Sequence, residues 1–135
     1  MRPGGDEGKL KLAGRVIYGG SAKGRALVTT QPISFLGGID PATGKVIERG
    51  HELLGESVKG RVLVFPYGKG STVGSYILYR LRKNGMAPSA IINEECETIV
   101  AVGAIISEIP CVDEIDLSKI EPNAMLRIDG ATVRF

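Results

Sequence analysis

The sequence predicts an α/β protein built on a mixed β-sheet. Three observations carry that reading. Short apolar runs alternate with glycine turns in the first half, strand and helix patterns alternate between residues 61 and 112, and the C-terminal stretch alternates about a turn at Asp129-Gly130. The chain has 135 residues, of which 43% are hydrophobic and 24% charged; this suits one globular domain with its own core and excludes a two-domain enzyme. Lys and Arg total 17 against 15 Asp and Glu, and there is no Trp, so neither the basic footprint nor the stacking aromatics of a nucleic-acid binder are present. No apolar run approaches the ~18 residues of a membrane span, and no apolar signal region follows Met1-Arg2-Pro3. The two cysteines, Cys96 and Cys111, form no CxxC pair, and a reducing, cytoplasmic setting is expected.

Residues 1 to 13 mix Gly, Pro and charge without a buried period and read as a flexible tail or a loosely held first strand, leaving 14 to 135 as the domain. Arg15-Val16-Ile17-Tyr18 and Arg25-Ala26-Leu27-Val28 read as strands separated by Gly19-Gly20. The stretch from Pro32 to Gly44 reads as a loop longer than the usual ~4 to 6 residues, and long loops often carry function. Arg61-Val62-Leu63-Val64-Phe65 is the best central strand, since a run of consecutive apolar residues suits burial on both faces. It is followed by a helix with Val73, Ile77 and Leu81 on one face, Ser71 or Thr72 as its N-cap, Arg80, Arg82 and Lys83 in its last turn, and a stop at Asn84-Gly85. Ser89 to Ile92 reads as a second core strand. Glu97 to Ile106 reads as a second helix with Ile99, Val102 and Ile106 facing the core, Pro110-Cys111-Val112 as a short strand, and the tail from Ala124 as a hairpin.

The loop Gly68-Lys69-Gly70-Ser71-Thr72, between the central strand and the first helix, is the strongest candidate for chemistry. Glycines let a ligand approach the backbone, a helix start presents free N–H groups to an anion, and Lys69 adds a charge. A carboxylate or phosphate held there would bring a reacting carbon to Ser71 Oγ, and the same positive field would stabilise the deprotonated serine. The bland reading, that Ser71 or Thr72 only caps the helix, stands beside it. A phosphate-binding P-loop is excluded, since Leu63 occupies the place of its first glycine and Gly70 follows Lys69. A dinucleotide fingerprint is partly met by Gly68-x-Gly70 and by Glu94 about 20 residues on, but its third glycine comes at Gly74 instead of at Val73, and a full dinucleotide fold is longer than this chain. A second candidate wall is Ser34, Gly37, Gly38 and Asp40, although Asp-Pro-Ala-Thr-Gly is also an ordinary turn. His51, the sole histidine, reads as a surface or capping residue.

Three segments, Ile33 to Gly44 (ISFLGGIDPATG), Gly68 to Tyr76 (GKGSTVGSY) and Ala87 to Asn93 (APSAIIN), together resemble the swivel-domain, small-subunit half of the aconitase X family. That resemblance implies a swivelling β/β/α domain like the fourth domain of aconitase. It implies a hydro-lyase removing water from (R)-5-phosphomevalonate to give trans-anhydromevalonate 5-phosphate, a step of an archaeal route to isoprenoids, or else a dehydratase of another hydroxy acid or of hydroxyproline. The family's proton acceptor is the serine of the Gly-x-Gly-Ser loop, which corresponds to Ser71; Lys69, Gly70 and Thr72 would orient the anionic substrate, with Ser34, Gly37, Gly38 and Asp40 on the facing wall or in the subunit contact. A 4Fe-4S cluster is expected on a large partner subunit, in a heterodimer or a dimer of heterodimers, because two cysteines are too few to hold one. No nucleic-acid or membrane partner is expected. A related swivelling domain carries phosphohistidine, but here Asn93-Glu94-Glu95-Cys96 stands ahead of the second helix where that function needs a histidine. A non-catalytic module whose glycine-rich loop merely holds an anion is the remaining alternative.

Overall fold

A computed structural model describes residues 10–135. In chain order the elements are β1 (Lys11–Ala13), β2 (Arg15–Tyr18), β3 (Ser21–Val28), a two-residue β4 (Ile33–Ser34), a broken helical turn α1 (Phe35–Gly38), β5 (Val62–Phe65), β6 (Gly68–Lys69), α2 (Gly74–Lys83), β7 (Ala90–Asn93), α3 (Thr98–Ser107), β8 (Cys111–Asp113), β9 (Met125–Asp129) and β10 (Thr132–Arg134). Within the stretch expected as a tail or a loosely held first strand, Lys11–Ala13 pair antiparallel with β10; residues 1–9 lie outside the described residues.

Eight strands form one mixed sheet in the order β1-β10-β9-β3-β5-β7-β8-β2, with β3, β5, β7 and β8 parallel and the flanking strands antiparallel. The strand β5 is buried along its whole length, as its unbroken apolar run predicts. The long strand β3 is shared. Its residues Ser21–Arg25 pair with β9 and its residues Ala26–Val28 pair with β5, so the sheet turns over along this strand into two leaves.

Alternation along the strands then sorts two cores. Val62, Val64, Ala90 and Ile92 meet Leu126, Ile128 and Val133 between the leaves, whereas Leu63, Phe65 and Ile91 meet Leu78, Leu81, Val100 and Ala104 of the helices. The layering is β/β/α, as expected. A two-stranded parallel ribbon, β4 with β6, lies apart from the main sheet. Among the described residues no helix is long and apolar enough to cross a membrane.

The helix α2 buries Ile77, Leu78 and Leu81 but exposes Val73. It ends where predicted: the Gly85 N–H donates to Arg82 O at 3.2 Å and the Met86 N–H to Leu81 O at 2.8 Å, a paired closure that needs the left-handed Gly85. The expected core face of α3 is corrected. Val100, Gly103, Ala104 and Ser107 face inward, while Val102, Ile105 and Ile106 are exposed. The cause is the close crossing of α2 and α3. A Cβ on Gly103 would lie 2.5 Å from Leu78 Cδ1 and 3.3 Å from Ser75 Cα, so only small residues fit that face. The helix also starts one residue later than expected, with Glu97 as its cap: the carboxylate accepts the Ile99 N–H at 2.7 Å and the Val100 N–H at 3.1 Å.

Candidate active site

The β4–β6 ribbon builds the site. Its parallel register sets Ser34 opposite Lys69, so the two predicted walls, far apart in sequence, meet side by side. Ser34, Leu36, Gly37, Gly38, Glu48, Lys69 and Gly70 line one pocket of about 420 Å³. Five of the predicted site residues (Ser34, Gly37, Gly38, Lys69 and Gly70) are therefore brought together.

Gly70 is a glycine for two reasons. Its φ is +89°, which side chains rarely adopt, and a Cβ there would stand 2.6 Å from Ser34 Oγ. Across that contact the Ser34 hydroxyl donates to Leu36 O at 3.0 Å. The backbone then turns sharply into α2, with the Gly74 N–H donating to Ser71 O at 2.9 Å and the Ser75 N–H to Thr72 O at 3.2 Å.

Ser71 follows the pocket wall and is exposed. Its Oγ accepts the Val73 N–H at 3.1 Å, which leaves its proton and a lone pair facing outward. The cap position lies one or two residues later than expected: Val73 holds it without a side-chain bond, and the serine closes the preceding turn instead. Closing a turn does not exclude chemistry at this oxygen, because a backbone N–H that orients it also favours its negative form. Among the described residues, the N–H groups of Gly70, Ser71 and Thr72 meet no protein acceptor; of these, Gly70 shares the pocket wall with Lys69.

Two predicted residues stand elsewhere. Thr72 lines a separate apolar groove between α2 and α3, with Val73, Tyr76, Ile99 and Val102 among its walls. Asp40 is not in the pocket wall. Its Oδ1 accepts the Ala42 N–H at 2.9 Å and its Oδ2 the Thr43 hydroxyl at 3.2 Å, the ordinary turn that its sequence also allowed.

Sequence reasoning missed two wall residues, Leu36 and the charged Glu48. Its Oε2 lies 3.4 Å from Lys69 Nζ. It sits in a stretch without helical or strand periodicity, placed by the backbone at Ile47 and tied further along by the side chains of His51 and Glu52. His51, expected as a surface or capping residue, is buried and closes a turn: Nδ1 accepts the Leu53 N–H at 3.1 Å, which leaves the proton on Nε2 to donate to Pro32 O at 3.1 Å. Glu52 takes hydrogen bonds from the Thr29 hydroxyl and from the Thr30 N–H, and these hold its carboxyl below the usual range.

A cluster has no seat among the described residues. No three His, Cys, Asp or Glu side chains converge as metal ligands would. Cys96 and Cys111 have their sulfurs 4.0 Å apart, and the hydrogen bond to Cys96 together with burial pushes the Cys111 thiol well up, so it stays protonated. Iron–sulfur clusters require thiolates, about four for a 4Fe-4S centre. These residues do not fit one, and no step is routed through it.

Against known proteins, residues 11–135 match the family model of the aconitase X swivel domain. The chain belongs to the aconitase X swivel-domain family. A phosphomevalonate dehydratase small subunit of Thermococcus sibiricus is 58% identical, over 90% of this chain and 93% of its own length. One from Methanosarcina acetivorans is 62% identical over 83% of this chain and 78% of its length. The crystal structure of Thermococcus kodakaraensis aconitase X in its holo-form superposes with a TM-score of 0.91 at 53% identity, covering 93% of this chain and 97% of that one. For an aconitase X swivel domain, the β/β/α layering and the glycine-rich turn ahead of α2 are the expected frame.

Proposed function

We propose that this chain is the small subunit of a phosphomevalonate dehydratase, a hydro-lyase that converts (R)-5-phosphomevalonate to trans-anhydromevalonate 5-phosphate. The carrying observation is identity of 52 to 62% over at least 83% of the chain to relatives that bear that name. Those names favour this substrate over another hydroxy acid or hydroxyproline.

Dehydration of a 3-hydroxy acid removes a proton from C2 and hydroxide from C3. The first half is assigned to Ser71: its Oγ takes the C2 proton, and the Val73 N–H at 3.1 Å lowers the cost of the alkoxide that does so. Lys69 and the free N–H groups of the loop hold the anionic substrate, and Ser34, Gly37 and Gly38 form the facing wall. The second half needs an acid for the departing hydroxide, and the larger partner subunit supplies it. The 4Fe-4S cluster and its ligands are placed on that partner. Dehydration therefore requires both chains, as a heterodimer or a dimer of heterodimers. Two free cysteines fit a cytoplasmic setting.

The test is anaerobic incubation of (R)-5-phosphomevalonate with this chain and its larger partner, followed as the mass loss of one water. Turnover that requires both chains and disappears in Ser71→Ala is the expected result. An assembled, cluster-loaded complex that leaves phosphomevalonate intact overturns the substrate assignment. A Ser71→Ala complex with undiminished rate overturns the base.

A further inference from the structure

A carboxylate in the wall of an anion-binding pocket repels its ligand unless a cation stands between them. Glu48 is such a carboxylate, and it is firmly placed. The Ile47 N–H donates to Gly38 O at 2.8 Å, Ile39 pairs with Val46, and the His51 N–H donates to Glu48 O at 3.2 Å, so the backbone on both sides of Glu48 is fixed against the facing wall. A Cβ on Gly38 would stand 3.2 Å from Glu48 Oε1 and 3.8 Å from its Cβ, so the side chain lies flat over a residue with no side chain of its own. The other oxygen, Oε2, reaches Lys69 Nζ at 3.4 Å. Lys69 is the mobile member. Its side chain is 48% exposed against 29% for Glu48, and a lysine left free disperses over many rotamers.

We propose that Glu48 is a positioning residue whose carboxylate tethers the Lys69 ammonium at the mouth of the pocket, where it meets the anionic group of the substrate. The tether rests on the dehydratase reading only for the identity of that anion. Glu48 touches no reacting atom and acts through Lys69. Its loss therefore weakens substrate binding and leaves the proton transfer at Ser71 nearly unaltered. The size is that of a partly exposed ion pair, about two- to fivefold in KM.

Kinetics of the assembled two-subunit enzyme test this with a double-mutant cycle. Glu48→Gln is expected to raise KM by about two- to fivefold with kcat little changed, and Lys69→Met to raise it by about tenfold or more. In the Lys69→Met background, Glu48→Gln should leave KM unchanged or lower it, since the remaining carboxylate only repels the ligand. An unchanged KM in the native background, or an equal rise in both backgrounds, overturns the proposal. A second readout needs no turnover. In the intact chain the two ε-methylene protons of Lys69 should give separate NMR resonances that merge in Glu48→Gln, and identical spectra overturn the tether. A native complex that fails to dehydrate phosphomevalonate removes the substrate assignment while the spectra still decide whether Glu48 holds Lys69.

Discussion

Two of the segments that wall the pocket are held in different ways. The 68–72 segment is held by its own backbone: a left-handed Gly70, a short parallel ribbon and a tight turn closed by Ser71. The 48–54 segment has only turn bonds of its own, such as the His51 N–H to Glu48 O and the Leu54 N–H to His51 O, and its ties to the rest of the fold run through side chains, His51 on Pro32 O and Glu52 on Thr29 and Thr30. Backbone-held segments announce themselves through the residue types that unusual dihedrals require. Side-chain-held segments do not, because the same His or Glu can serve anywhere that a partner happens to lie.

The largest effect expected falls in the first segment. Ser71→Ala should lower the dehydration rate of the assembled enzyme by about 10²- to 10⁴-fold, the usual span for a positioned general base, with subunit association unchanged by gel filtration. Gly70→Ala should lose activity and about 1–3 kcal/mol of stability by chemical denaturation, from its left-handed backbone and the contact with Ser34 Oγ. Adding Ser34→Ala to it should restore part of the loss by removing the contact but not the strain. In the second segment, His51→Ala should cost about 1–3 kcal/mol, because it leaves the buried Leu53 N–H and Pro32 O without their partner. A thermal midpoint equal to that of the native chain would show that this segment is held by something else.

A prediction outside both segments separates their stability from that of the sheet. Burial pushes the Asp113 carboxyl up, but the hydrogen bonds from Arg15 and from the Cys96 N–H outweigh it and leave the group below its ordinary range. A lowered folded value means that the contribution is complete above the unfolded carboxylate range, near 3.9, and is lost as pH falls through the folded value. Urea denaturation from pH 7 down to pH 2 should show this acid loss, and Asp113→Asn should flatten it. The smallest effect belongs to Asp40→Ala, which removes only the bonds of a surface turn: KM should not move, and stability should fall by about 1 kcal/mol or less. A raised KM would return Asp40 to the pocket wall.

Much of the fold was legible because its signals are local. The apolar run of β5, the Asn84-Gly85 stop and the terminal hairpin each follow from neighbouring residues. The inward face of α3 was not legible. Its Ile and Val residues follow a helical period, yet the approach of α2 reserves the inner side for Gly103 and Ala104, and that distance is a tertiary fact. The site divides in the same way. Lys69, Gly70 and Ser71 were visible as a glycine-rich turn before a helix, whereas Glu48 enters the wall only through the pairing of Ile39 with Val46 and of Ile47 with Gly38.

The strand that serves both leaves of the sheet has a thermodynamic consequence. Ser21–Arg25 close the core between the leaves, and Ala26–Val28 lie on the strand that starts the helix-covered leaf. Neither core can melt while the other keeps β3 in place, so two apolar interiors share one cooperative transition. A heating scan should give one peak whose calorimetric and van't Hoff enthalpies agree, since a single run of backbone makes the two cores one unit.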